Sequence, residues 1–400
     1  MQRGRQLNYD ALLLVSFGGP EGPDDVIPFL ERVLKGRRVP RERMMEVAEH
    51  YHHFGGVSPI NGQNRALISA LEVVLETRNL TLPVYWGNRN WHPLLPDTVR
   101  RMAADGIRRA LAFVTSPYSS WSNCRQYLEN IEDARRDAGP GAPVIEKIRP
   151  FFNHPGFIET MTARVRSALD RLPEERRPWA HLVYTAHSIP MGMAGGCAYE
   201  AQLREASRLI SGRVGASSWA LTFQSRSGPP TQPWLEPDVC DYIRTFHEAG
   251  AARTARAGKV DQTDQSDQAD QTDQSDQSDQ AGQADRADRD IVVIPVGFIS
   301  DHMEVAYDLD VEARACCDEL GVRMVRAETA GTHPRFVDMI VDLVEERMSP
   351  AAAATSAVET RPAASRTSVE ARPAAPARPA EGVLGPWPDR CPLDCCPPGR

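Results

Sequence analysis

The feature that most constrains this chain is a repeated alternation of short apolar runs with longer stretches of helical spacing. Residues 11–16 (ALLLVS), 83–87 (PVYWG) and 110–116 (ALAFVTS) read as strands, set among predicted helices at 23–34, 41–53, 64–78, 98–105 and 124–138. The second half repeats the theme with helix 157–172, strand 181–187 (HLVYTAH), helix 199–211, strand 218–224, helix 238–249, strand 291–296 and helices 302–320 and 334–348. Near-continuous apolar strands flanked by helices imply parallel sheets covered on both faces. The expected architecture is α/β, with two similar doubly wound parallel-sheet domains, residues 1–152 and 153–349, and a cleft between them. In such sheets functional groups collect beyond the carboxyl ends of the strands.

Two stretches break the pattern. Residues 260–290 form a DQx repeat with ten Asp and two Arg, a net charge of −8 that equals the formal charge of the whole chain. With almost no apolar surface to bury, this insert is expected to be a disordered spacer. Residues 350–386 are rich in Ala and Pro and read as a second disordered linker, ending in a Cys-containing tail, 387–400. Roughly 320 residues remain, enough for two cores, and they are nearly neutral. That balance gives no reason to expect a nucleic-acid partner. No apolar run approaches the roughly 18 residues of a membrane span, and the polar start, 1–7, leads straight into the first strand. The expectation is a cytoplasmic, monomeric protein without stable membrane insertion.

Chemistry-bearing residues stand at two strand ends. His187 directly follows the apolar run of 182–186, where a side chain would face the crevice of an open sheet; a structural, hydrogen-bonded histidine is the plain alternative. After the strand at 291–296, Glu304, Asp308 and Glu312 recur at i, i+4 and i+8 and so share one helix face. Like charges at that spacing repel, and no Lys or Arg lies between Ser300 and Ala313 to offset them. Either this is a solvated acidic face or a carboxylate track for a divalent cation. An imidazole opposed to a carboxylate suits transient Fe²⁺ binding and proton transfer near neutral pH.

Seven segments, in order, resemble the ferrochelatase family: 13–20 (LLVSFGGP), 54–61 (FGGVSPIN), 84–93 (VYWGNRNWHP), 115–122 (TSPYSSWS), 185–190 (TAHSIP), 223–237 (FQSRSGPPTQPWLEP) and 296–310 (VGFISDHMEVAYDLD). The resemblance implies a lyase-class chelatase that inserts Fe²⁺ into a porphyrin held between two four-stranded domains. It gives His187 and Glu304 the catalytic and Fe²⁺-binding roles, Asp308 and Glu312 the acidic metal track, and Ser58 and Tyr127 porphyrin contacts. Phe17 stands where some bacterial relatives place a metal-ligating tyrosine, so it is assigned packing against the macrocycle. The chain is most similar to actinobacterial members, which act on coproporphyrin III and yield coprohaem. Protoporphyrin IX, or a non-enzymatic porphyrin or haem carrier on the same fold, is the alternative. Lys35, Arg37 and Arg38 are candidates for propionate contacts at the cleft rim, with a solvated basic loop as the equal alternative.

The same resemblance implies a [2Fe–2S] cluster on Cys124, Cys391, Cys395 and Cys396, the tail thiols otherwise having nothing to bury against. Cys197, Cys240, Cys316 and Cys317 read as small fillers. The implied partners are coproporphyrin III and Fe²⁺, with transient contact to neighbouring enzymes of haem synthesis.

Overall fold

The computed structural model describes residues 9–36, 39–229, 231–260, 289–349, 378–389, 391 and 395–398. Residues 261–288 of the DQx run and most of the Ala/Pro linker lie outside the described residues, as do Arg37 and Arg38.

Two four-stranded sheets carry the fold, and they share one topology. The first has the order β2-β1-β3-β4, from β1 (Ala11–Ser16), β2 (Val84–Asn88), β3 (Arg109–Val114) and β4 (Val144–Lys147). The second has the order β6-β5-β7-β8, from β5 (His181–His187), β6 (Trp219–Gln224), β7 (Ile291–Ile294) and β8 (Met324–Arg326). Every pairing within them is parallel. All six residues of β1 are buried, as expected of a central strand covered on both faces. In each sheet the chain leaves the first strand to one side and later returns to the other. That reversal creates a switch point, a crevice beyond the ends of β1 and β3 in one half and of β5 and β7 in the other.

The strands at β4 and β8 were not expected. Both are short edge strands, and β4 (VIEK) starts on an exposed valine and ends on two charged residues, so neither forms an apolar run. The predicted helix 302–320 is also interrupted. It consists of α10 (Met303–Tyr307), a π-helical turn (Asp308–Ala313) and α11 (Arg314–Glu319).

The halves are less separable than residues 1–152 and 153–349 suggest. The last helix, α12 (Pro334–Met348), packs on α3 (Ile60–Thr77) of the first half as well as on α6 (Pro155–Leu169) of the second. One core runs through both, joining Leu12, Leu71 and Phe113 to Phe157, Tyr184 and Phe336. At the end of α3, Arg78 meets Asp338, Asp342 and Glu345 of α12 at 3.2, 2.5 and 3.1 Å. The buried Tyr118 hydroxyl donates to the carbonyl of Val296 across the junction at 3.0 Å. This shared core fixes the relation of the two switch points to each other.

The largest departure from expectation is at the C-terminus. Segment 378–389 lies against the folded body from Arg378 onward, so the part of the presumed linker from 378 to 386 is placed, not free. Its contacts include side-chain bonds from Arg149 and Asn153, in the stretch between β4 and α6, which composition does not reveal.

Candidate functional site

His187 closes β5, and its register partner across the sheet is Gln224, the last residue of β6. The imidazole Nδ1 bonds the carbonyl of Ser188, an acceptor, so that nitrogen carries the proton. Nε2 is thereby directed outward, 3.5 Å from Oε1 of Glu304 at the start of α10. The ring is 30% exposed and the carboxylate 44%, so both reach the crevice while rooted in the sheet.

Glu304 is held from behind. The side-chain amide of Gln224 donates to the Glu304 carbonyl at 2.6 Å and to Oδ2 of Asp308 at 3.3 Å. Ser225, in a left-handed backbone conformation at φ 61°, donates its hydroxyl to the same Asp308 carboxylate. The three carboxylates thus keep a common face despite the π-turn. An α-helical step of four residues overshoots one turn by roughly 40°, and the wider π-turn beginning at Asp308 sets the next step back.

The charges push one another apart in titration. Burial alone would lower the pKa of His187, but Glu304, the Ser188 carbonyl and Asp308 together raise it to about 9. Glu304 goes the other way: burial disfavours its charge, yet His187 and then His302 pull its pKa well below the usual carboxylate range. Asp308 is raised to about 7, first by burial and then by Glu304 and Glu312, against the Ser225 hydrogen bond. Glu312 is raised as well, by burial and by Asp238. One site therefore holds an imidazole inclined to take a proton, an ionised carboxylate and a carboxyl group that exchanges protons near neutrality.

Several members of this site were not legible in the sequence. His302, at the foot of α10, lies 3.9 Å from the other oxygen of Glu304, and burial lowers its pKa, keeping it neutral. Gln224 closes β6 and Ser225 follows it, and nothing in their local pattern announces them. Arg89 spreads its guanidinium over the rings of Phe17, at 5.7 Å, and Tyr127, at 4.5 Å.

The porphyrin candidates lie in the first half. Phe17 follows β1 at that sheet's switch point and packs edge-on against Phe29 with centroids 6.2 Å apart. Ser58 is buried against the turn after Phe17; a side chain at Gly19 would meet the Ser58 Cβ at 2.6 Å, so only glycine lets the two loops approach. Tyr127 is also buried, its ring covered by Arg89. Asn61 and Asn88, both fully buried, tie this turn to the loop at His92 through bonds of 3.1 to 3.3 Å. Lys35 is exposed at the end of α1 (Pro23–Val33).

The tail cysteines do have something to bury against. Cys396 is 3% exposed and Cys124 is 5% exposed, on the π-turn Trp121–Arg125 that follows β3. A hydrogen bond from Cys391 lowers the Cys124 thiol to about 6 against the effect of burial, with help from Lys147 and Arg125. Cys391 is raised by the same contact, by burial and by Cys395. The sulfurs of Cys395 and Cys396 stand 3.5 Å apart. Cys197, expected to be a filler, lies within electrostatic reach of Cys395 and Cys396. Cys316 and Cys317 are core residues as expected. Among the described residues no three His, Cys, Asp or Glu side chains are gathered as a single resident metal ion would need. No helix among them is long and apolar enough to cross a membrane.

Comparison with known proteins bears directly on this geometry. The sequence profile described as ferrochelatase matches residues 9–256 and 275–348. The chain is 49% identical over 388 residues to a ferrochelatase of Rhodopirellula baltica, covering 97% of this chain and 93% of the relative. It is 43% identical over 407 residues to a coproporphyrin III ferrochelatase of Streptomyces coelicolor, with coverage of 97% and 93%. With the coproporphyrin III ferrochelatase of Nocardia farcinica the identity is 45% over 347 residues, covering 85% and 88%.

Proposed function

The chain belongs to the ferrochelatase family, and we propose that it inserts Fe²⁺ into coproporphyrin III, releasing two protons and giving coprohaem for haem synthesis. One observation carries the reading: Nε2 of His187 faces Oε1 of Glu304 across the switch point of the second sheet, with Asp308 and Glu312 continuing the acidic face behind them. The similarity to coproporphyrin III ferrochelatases over most of the chain supports the substrate. As a metal chelatase the protein is assigned to the lyases.

The reaction exchanges one divalent cation for two pyrrole protons, so it needs a transient cation site and a base in the same place. Imidazole nitrogen and carboxylate oxygen are both acceptable ligands for Fe²⁺. With its Nδ1 proton committed to the Ser188 carbonyl, neutral His187 offers the Nε2 lone pair either to Fe²⁺ or to a pyrrole proton. Glu304 stays ionised and stabilises the imidazolium that forms. Asp308, titrating at about 7, passes protons outward and accepts cations inward. Phe17 has no oxygen to ligate iron, so the ligand role stays with His187 and Glu304, while Phe17, Ser58 and Tyr127 shape the porphyrin's side of the cleft.

A [2Fe–2S] cluster on Cys124, Cys391, Cys395 and Cys396 belongs to the same reading. Such a cluster takes four thiolates, two to each iron, so it does not need three ligands around one point. The residues fit: a buried, easily ionised Cys124 contacts Cys391, Cys391 contacts Cys395, and basic Lys147 and Arg125 stand by. When bound, the cluster would supply one-electron chemistry and a link between tail and body; the chelation step does not run through it. Visible absorption with iron and sulfide analysis of anaerobically purified protein tests it.

The function is tested by anaerobic Fe²⁺ insertion followed optically, with coproporphyrin III and protoporphyrin IX in parallel. Faster turnover of coproporphyrin III is expected. Preference for protoporphyrin IX would keep the chelatase and overturn the substrate, and tight binding without insertion would make the protein a carrier.

A further inference from the structure

Segment 378–389 is held by polar contacts at three places, besides the packing of Trp387 edge-on against Phe152, and none of these contacts involves a cysteine. We propose that it is a strap that docks through its own polar contacts, without any metal, and so brings the tail thiols to Cys124.

The first place is a buried chain of alternating charge. Arg149, fully buried, pairs with Glu346 at 3.0 Å, and Arg378 of the strap bonds the same carboxylate at 3.3 Å. Arg378 also pairs with Asp389 of the strap, and Asp389 in turn meets Arg347 at 2.8 Å. Arg347 continues to Glu146 at 3.4 Å. The strap contributes one positive and one negative charge, each paired within the network, so docking adds no net charge and leaves no strap charge uncompensated. Removing a single member does.

The second place reads backbone. Asn153 donates its amide to the carbonyls of Glu381 and Gly385 at 3.1 and 2.7 Å, and its own carbonyl accepts from the Glu381 N–H at 2.9 Å. Arg149 does the same for the Pro379 carbonyl at 3.0 Å, and Arg213 pairs with Glu381 at 2.6 Å. The third place is Glu205 of α8 (Tyr199–Val214), only 5% exposed, whose Oε1 accepts from the N–H groups of Val383 and Leu384. Gly382 lies on that carboxylate at φ +77°, where any Cβ would run into it. Backbone recognition of this kind tolerates an Ala, Pro and Gly sequence, which explains how a linker-like composition can dock.

The contacts span both halves, from Arg149 after β4 to α8, and two residues beyond the strap Cys391 contacts Cys124, with the Cys395 carbonyl accepting from Arg125 at 3.5 Å. The geometry gives docking a source independent of the cluster reading; where a cluster forms, the strap sets its ligands beforehand.

Hydrogen exchange of the strap peptide, in full-length protein that has been reduced and stripped of metal by a chelator, tests this. Wild-type protein is expected to protect the Glu381, Val383 and Leu384 amides. Gly382→Ala and Asp389→Asn should each raise their exchange roughly ten- to hundredfold, as expected for losing a charge-assisted bond, with exchange in β1 and β5 unchanged. Gly382 is exposed, so its variant tests docking without touching the core. Free exchange of the strap in metal-stripped wild type, or unaltered protection in both variants, would overturn the proposal. Protection in protein that never binds iron or sulfide would support the strap while removing the cluster.

Discussion

Gln224 lies opposite His187 in the strand register and uses its side-chain amide to hold the backbone of Glu304, 2.6 Å from the Glu304 carbonyl. The residue beside the base thus sets the position of the carboxylate facing it, and the 3.5 Å separation of His187 and Glu304 is a property of the sheet, not of the loop.

Gln224→Ala should therefore misplace α10 without removing any reacting group. The expected outcome is a fall in kcat of about tenfold, the worth of one good hydrogen bond in the transition state, with porphyrin affinity within a factor of two. An unchanged kcat would show that the helix is placed by its core contacts alone.

The pH profile follows from the sign of the His187 shift. Glu304 holds the imidazole pKa above its ordinary value, at about 9, so His187 is protonated at neutral pH and must lose that proton to act. Turnover should rise with pH across the range from about 7 to about 9. Glu304→Gln removes the main cause of the shift, and the acid limb of its residual activity should move to lower pH. An acid limb at the same pH in both proteins would exclude His187 as the titrating group.

Stability should fall on mild acidification because of His181. It is buried and neutral, bonding Ser218 at 2.7 Å and Tyr242 at 2.9 Å, and burial together with Arg289 lowers its pKa to about 4. The unfolded chain takes up that proton near pH 6.5, so stability present above 6.5 is lost as pH falls towards 4, at a cost on the order of 2 kcal/mol by pH 5. Urea titrations at pH 7 and pH 5 should show a smaller loss for His181→Gln than for wild type. Equal losses would place the acid sensitivity elsewhere.

The DQx insert should be dispensable. Its composition cannot supply a core, and the family match pauses between residues 256 and 275, within and just before it. Deleting 261–288 should leave kcat within about twofold, a loop excision of this kind changing closure entropy little. A large loss of turnover would give the repeat a role in the reaction.

Much of this site was legible beforehand, for physical reasons. The sequence limits of β1 and β5 coincide with the observed strands because both are buried on two faces and read as unbroken apolar runs. His187 and the spacing of Glu304, Asp308 and Glu312 were visible because strand ends and helix periodicity are local properties. β4 and β8 were not, since an edge strand of three or four residues carries no apolar run. Nor were Gln224, Ser225 and His302, whose importance comes from register and helix placement. The docked strap is not legible in the sequence, because backbone hydrogen bonds and paired charges leave little trace in composition.

The most direct test of the account is Fe²⁺ insertion into coproporphyrin III by His187→Ala, with porphyrin binding measured on the same preparation. The account predicts porphyrin affinity close to wild type and turnover lower by roughly a hundredfold or more, the range for loss of an acid–base group. Wild-type turnover in that variant would contradict it.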